Sequence, residues 1–600
     1  EVGSAGSGDG YDPYGALALR VATDGRVTAV EGGLAVEGMS YALLTLASST
    51  GAADHWAGRP ARTRAAHRAR AAGIAERAAA RGPHALLDEH QQDLRGLLGG
   101  AQLRIGPRRA GTHDVERDVL SGADPGLTAT VIHQLGRYLL AAASRPSAGP
   151  PANLQGIWNA DLRPAWSSNY TININTQMNY WGAEAAGLGV CHEPLFDLLD
   201  RLAVTGADVA RGLYGARGWT AHHNTDMWGW ALPVGMGHGN PSWAHWMTGG
   251  VWLCQHLWDH YEFTADTGFL RDRAWPVLYG AAQFCLDWLV DDGDGGLRTL
   301  PATSPENLFL SAEGTPESLT YSTAMDISLI RALFTRCLRA AELLGTERDA
   351  ADPVLGEVRA ALPRLPGHRI AAGGWLQEWA EDFPEADPAH RHLSQMVAVH
   401  PLGQIDPDST PELAVAALRL MDRRGPGAMG WSWAWKIALR ARLRDAATAH
   451  ALFEEATGPL AADPDTDAPV DGSRWGGLLP NLFSTHPPFQ IDGNYGLMAA
   501  LTEMVLQSHA GAVHLLPALP APWPDGRVRG LRCRGGIETD FTWSGGALVS
   551  VAVRRISGDG TQPVAVRHGD TTVRLRIPLG EQVRLDGQLC QRRPEVSAPC

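Results

Sequence analysis

Six hundred residues at 44% hydrophobic and 19% charged composition exceed what one core requires and are expected to form two to four domains. Glycine (69) and proline (39) are abundant, which suits a loop-rich globular enzyme and excludes a coiled coil or a disordered chain. A net charge of −14 without a long basic run argues against nucleic acid and anionic membrane as partners.

Residues 16–23, 26–32 and 41–48 read as short strands separated by the turn signals Asp24-Gly25 and Gly32-Gly33. From 61 to 103 the chain becomes Ala/Arg-rich with helical spacing at Leu86, Leu87, His90, Leu94 and Leu97, the pattern of a helical linker. Between 126 and 508 helical patterns recur at 127–144, 176–188, 195–214, 243–261, 269–290, 323–344, 349–361, 412–420, 432–442, 446–455 and 495–509, with long polar and aromatic loops between them. This spacing predicts a helical toroid whose loops build a site at one end. After 511 the pattern returns to strands, with turns every 8–12 residues as in a small β-sandwich.

The sequence has 21 tryptophans, more than its tyrosines or phenylalanines (11 of each). Flat indoles stack on sugar faces, so a sugar ligand is weighed against a well-packed core. Cysteines at 191, 254, 285, 337, 533, 590 and 600 form no CxxC pair; they read as mostly buried thiols, with no zinc knuckle. The longest run without Asp, Glu, Lys or Arg, 227–258, is broken by Pro233 and Pro241. No membrane span or signal peptide is read, and cellular location stays open.

The densest polar segment runs from Asn153 to Trp181. In an extended chain Thr171, Asn173 and Asn175 share one face and Ile172 and Ile174 the other; the amides could hold a water or sugar hydroxyls, or Asn175 could simply cap the following helix. Glu306 sits in the turn Pro301-Ala-Thr-Ser-Pro-Glu-Asn307, either a placed carboxylate or an ordinary helix start. Asp492, in His486-Pro-Pro-Phe-Gln-Ile-Asp-Gly-Asn494, is expected in a turn before a helix, with Asn494 as a cap. Two further loops, His222–Trp228 and Gln377–His392, concentrate titratable and aromatic groups. No acyl-transfer, phosphate-binding or dinucleotide motif is present.

The segments NLQGIWN, YTININTQMNYW, TSPEN, QEWAEDFPEADPAHRHLS, WSWAWKIALRARL and STHPPFQIDGNYGLMAALTEM are collinear and long, and on them the chain resembles glycoside hydrolase family 95, the inverting α-L-fucosidases. The resemblance implies a multidomain, mainly α protein: an (α/α)6 barrel at 126–510 after a helical linker at 61–125, a C-terminal β domain at 511–600, and an N-terminal β-sandwich. About 60 residues of strand pattern are too few for that sandwich, so residues 1–60 are expected to be its C-terminal part, with unpaired edges and a partly exposed core. By motif, Glu306 matches the family's general acid, Asn173 and Asn175 the pair that holds the attacking water, and Asp492 the carboxylate that polarises them. Inversion places acid and water on opposite sugar faces, roughly 6.5–9.5 Å apart, and a raised pKa is expected for Glu306.

Arg391 and His392, with Asp226, Trp243 and His486, are expected to line the sugar pocket. The substrate implied is a fucosylated oligosaccharide or polysaccharide, with no metal or organic cofactor. Gln395 stands where the family pattern has histidine. Thr171, near the expected C6 position, could leave room for a hydroxyl and so admit α-L-galactosides. An inactive glycan-binding protein and an inverting phosphorylase are the competing readings; the phosphorylase would want a basic phosphate pocket beside Glu306.

Overall fold

The computed structural model describes residues 14–109, 114–146, 149–235, 238–346, 352–427, 429–460 and 476–591. The chain divides into two compact units, residues 1–99 with 145–150, and residues 100–144 with 151–600. In the first unit Gly15–Thr23 pairs antiparallel with Ala42–Thr50, and Arg26–Val30 with Gly33–Glu37. The strand at Gly33–Glu37 was not foreseen from its short GLAVE pattern. Ala47 and Ser49 lie on the buried face of the first pair, and Leu17, Leu19, Leu44 and Leu46 on the other face are exposed. The helix Arg64–Leu98 starts from Thr63, whose hydroxyl accepts from Ala66 N, and is interrupted at Gly82, where φ is 77° and Pro83 follows.

The helical pattern predicted to run to residue 103 ends at Leu98. Gln102–Ile105 is instead a strand, pairing with Gly526–Cys533 at the edge of a five-stranded sheet. That sheet continues through Ile537–Ser544, Ala547–Arg555 and Gln582–Asp586, and a second sheet holds Leu506–Gln507, Val513–Leu515, Val564–His568 and Thr571–Leu575. The two-residue period is plain in Ile537–Ser544, where Ile537, Thr539, Phe541 and Trp543 are buried.

The rest of the second unit is mainly helical. Glu193–Tyr214 buries Leu195, Leu198, Leu199, Leu202 and Val209 and stops at Gly215, whose φ is 63°. Ala324–Leu344 is capped by the Thr323 hydroxyl and stops at Gly345, φ 71°. The predicted helix at 243–261 is split into Pro241–Ala244 and Gly249–Thr264. Thr248 is drawn out of helical register by a bridge to Ala221, and its hydroxyl donates to buried Asp326. The predicted helix at 176–188 ends at Trp181, capped by Gly182, and residues 349–351 of another lie outside the described residues.

The Gly430–Arg442 helix is buried along its whole length and packs on Asp492–Val505. The second of these starts at Asp492 rather than after it. Asn494 is inside the helix, accepting from Ser484 N and donating to Leu482 O, and does not cap it. Gly496 allows a close approach: a Cβ there would stand 2.5 Å from Met178 Sδ and 2.7 Å from Ala434 Cβ. Met178 belongs to the helix Asn175–Trp181, so this contact sets the first residues of two helices, Asn175 and Asp492, against each other. Cys191, Cys254, Cys285, Cys337 and Cys533 are buried free thiols and Cys590 is exposed; Cys600 lies outside the described residues.

Gly496→Ala is expected to lower stability by about 1–3 kcal/mol through overpacking and to lower activity with it. A thermal midpoint equal to that of the wild type would show that the contact is not tight.

Candidate active site

Ile172 and Ile174, both fully buried, anchor the segment that carries the two asparagines. Tyr170 and Thr171 pair with Thr225 and Asn224, and Ile172 N donates to His223 O at 2.8 Å. The backbone leaves the extended form after Thr171, and the three polar side chains take different partners. Thr171 Oγ1 donates to Asn169 Oδ1. Asn173 Nδ2 donates to Glu306 Oε1 at 3.0 Å, and Asn175 Nδ2 to Asp492 Oδ2. Asn175 opens its helix without capping it, so the helix-cap reading fails. Each amide thus spends an N–H on a different carboxylate, and Asn173 Oδ1 is buried with no hydrogen-bond partner among the described residues.

Glu306 lies in a tight turn closed by Asn307 N donating to Ser304 O at 3.0 Å; no helix begins here. Its carboxylate receives Arg391 Nη2 at 2.7 Å and His223 Nε2 at 3.2 Å, with His392 Nε2 at 3.6 Å. Burial pushes the Glu306 carboxyl up, but His392 and His223 outweigh it and hold the group well below the usual carboxylate range. This reverses the raised value expected from the sequence, because the hydrogen bonds and charge interactions of two imidazoles favour the ionised form more than burial disfavours it. Asp492 is the opposite case. It is fully buried and accepts from Asn175 and from Gly493 N at 2.7 Å; burial pushes it up to about 7 against these bonds and one from its own backbone.

His392 packs against Trp431, ring centroids 4.7 Å apart, and Ser432 Oγ donates to Arg391 O at 2.9 Å, so the Gly430–Arg442 helix holds the Arg391–His392 segment in place. His486 meets Trp166 edge-on at 4.8 Å; burial, then Arg391, push it down to about 4. Trp243 is half-exposed with its ring 6.4 Å from that of His223. Asp226 is used locally, its Oδ1 accepting from Trp228 N and Trp230 N. Of the seven tryptophans between 219 and 258, Trp219, Trp246, Trp252 and Trp258 are core, while Trp228, Trp230 and Trp243 are not buried.

Direct contact of His223 with Glu306 was missed; the paired histidines at 222 and 223 were the available signal. His222 takes a structural place, bonded to Tyr214 Oη and Ala231 O. Glu378 was missed as well. Among the described residues buried Glu184 and His192 and partly exposed His260 form a group close enough for a metal. The two Nδ1 atoms lie 2.9 and 2.7 Å from one carboxylate oxygen, the geometry of two imidazoles donating to a shared acceptor.

Two carboxylates held in opposite electrostatic environments are the equipment of a glycoside hydrolase. The Glycosyl hydrolase family 95 catalytic domain matches residues 82–505, and the Glycoside hydrolase family 95, C-terminal domain matches 507–583. The chain belongs to glycoside hydrolase family 95. An Arabidopsis thaliana protein named Alpha-L-fucosidase 2 is 41% identical over 455 residues, 76% of this chain and 52% of its own length. An Aspergillus niger protein named Probable alpha-fucosidase A is 31% identical over 519 residues, 82% of this chain and 62% of its own. The chain therefore spans between about half and five-eighths of these relatives. A solved structure named as a kojibiose phosphorylase from the human microbiome is similar in fold, with a TM-score of 0.60 at 9% identity over 95% of this chain and 74% of that one.

Asp492 yields a stability test. Its native carboxyl is raised from 3.8 to about 7, so between those values the native state keeps a proton that the unfolded chain has released. Stability then falls as pH rises through the window. Asp492→Asn is expected to show a shallower fall than the wild type in denaturant unfolding across this range. Parallel profiles would contradict the buried, proton-holding carboxyl.

Proposed function

We propose that the chain is an exo-acting α-L-fucosidase that inverts the anomeric centre, working on terminal α-linked L-fucose of oligosaccharides or polysaccharides. The supporting observation is the pairing of two amides with two carboxylates of opposite character, in a family whose relatives carry fucosidase names. In this reading residues 126–510 form an (α/α)6 barrel, with 61–125 as linker, 511–600 as the C-terminal β domain and 1–60 as part of an N-terminal sandwich.

Glu306 protonates the leaving glycosidic oxygen as the bond to the anomeric carbon breaks. While His392 and His223 face it directly, that carboxyl is held low. A sugar whose hydroxyls take Arg391 and His392 as donors draws those donors off Glu306, and burial then favours its protonation. Asn173 and Asn175 hold the attacking water by their carbonyl oxygens on the other sugar face. An amide alone is a weak base; Asp492, accepting the Asn175 N–H, pushes electron density to the amide oxygen. The carboxyl raised to about 7 is poised to accept the proton that the Asn175–Asp492 pair takes from the water. Trp243 offers an indole face to the sugar's apolar side, and His486, Asp226 and Thr171 border the pocket. Every role falls to a side chain, and the mechanism uses no metal or organic cofactor.

Incubation with 2′-fucosyllactose, followed by NMR, should show β-L-fucose first and the α-anomer only after mutarotation. Initial release of α-L-fucose would refute inversion, and no release of fucose would refute the substrate.

A further inference from the structure

The carboxylate of Glu378 is buried, its side chain 2% exposed, and its hydrogen bonds come from residues other than Arg391, His223 and His392, which face Glu306. Donors from three separate segments converge on it. Ser304 Oγ donates to its Oε1 at 2.6 Å; Asn307 Nδ2, Gln395 Nε2 and Arg424 Nη2 donate to its Oε2 at 3.0, 3.3 and 3.0 Å. Ser304 and Asn307 are the two ends of the turn whose third residue is Glu306, and Gln395 lies three residues beyond the Arg391–His392 pair. Ser394, beside Gln395, donates its hydroxyl to Pro305 O. Both members of the Glu306–Arg391 ion pair are thus suspended from one carboxylate.

The arrangement asks more of Glu378 than core filling. Removing two ionised groups from water is unfavourable unless their remaining hydrogen-bonding capacity is met. Most of it is met here: Arg424, with no exposed side-chain surface, also bonds Glu385 Oε2 at 2.7 Å and the carbonyls of Asp387 and Pro388, and only its Nε lacks a partner among the described residues. A carboxylate accepts at both oxygens, so it satisfies the Ser304 hydroxyl and the Asn307, Gln395 and Arg424 N–H donors together, whereas an amide accepts on one side only. Gln395 at the family's histidine position serves as one of those donors.

We propose that Glu378 is a positioning residue. It fixes the Glu306 turn to the Arg391–His392 segment and so aims the Glu306 carboxyl at the leaving oxygen. This rests on the assignment of Glu306 as general acid. A displaced acid harms only substrates whose leaving group needs a proton, which separates positioning from general damage to the fold or to sugar binding.

The test compares turnover of 2′-fucosyllactose with that of α-L-fucosyl fluoride, whose fluoride leaves unassisted. Ser304→Ala with Asn307→Ala cuts the turn free while keeping the Glu378–Arg424 ion pair; Glu378→Asp shortens the reach and keeps the charge. Both are expected to lose about 10-fold or more in kcat on the trisaccharide, a fraction of the roughly 10²–10⁴-fold that acid catalysis supplies, and to stay within about 2-fold of wild type on the fluoride. Equal losses on the two substrates, or none on the trisaccharide, would overturn the proposal. Glu306→Gln run alongside keeps the two ideas apart. If it hydrolyses the trisaccharide at the wild-type rate, the acid assignment falls and the positioning role with it. If it loses only the trisaccharide while the turn variants lose nothing, the role of Glu378 alone is refuted.

Discussion

Two asparagines, two residues apart, donate to two carboxylates that lie 133 and 317 positions away in the chain, and the site is organised around that pair of bonds. Each amide spends an N–H on an acid, and on the proposed reading its oxygen holds the attacking water. The bonds exist only if three structures agree. The isoleucines at 172 and 174 must be seated in the core, the Glu306 turn must be closed, and the helices starting at Asn175 and Asp492 must approach as closely as Gly496 allows. The fold's close packing is therefore a condition of the chemistry as well as of stability.

The two carboxylates show how environment divides labour between identical groups. Asp492 meets only neutral donors among the described residues, so burial dominates and pushes its carboxyl up. At Glu306 the imidazoles of His392 and His223 prevail over burial and hold the carboxyl down, and Arg391 is its ion-pair partner. A substrate that engages those groups changes the balance at Glu306 and leaves Asp492 untouched. On the proposed reading the two groups serve different protonation steps, one dependent on binding and one built into the core. Glu378 belongs to the same logic from behind, holding the turn and the cationic segment in one register through Ser304, Asn307 and Gln395.

Much of this was legible in the sequence because residue type and order carry it. The asparagine pair, the Pro-flanked Glu306, the Arg391-His392 dipeptide and Asp492 stand in motifs long enough to be read together. The major helices announced themselves through their apolar period, and two of them end at Tyr214 and Leu344 as that pattern predicts. What the sequence did not disclose depends on distant partners. The choice between His222 and His223 is made by the pairing of residues 170–171 with 224–225. The interruption at 245–248 comes from the bridge of Thr248 to Ala221, and the strand 102–105 from an edge more than 400 positions along the chain. The sign of the Glu306 shift needed the positions of His223 and His392, and Glu378 needed donors from three segments.

Everything proposed for the water side of the reaction requires that Asp492 act through Asn175 and not independently of it. A double-mutant cycle in kcat/KM on 2′-fucosyllactose, with Asn175→Ala, Asp492→Asn and the double variant, measures this coupling. Either single change should remove most of the rate, and the second should add little, within about 3-fold, once the first is in place. Losses that multiply in the double variant would contradict the coupling of the two residues.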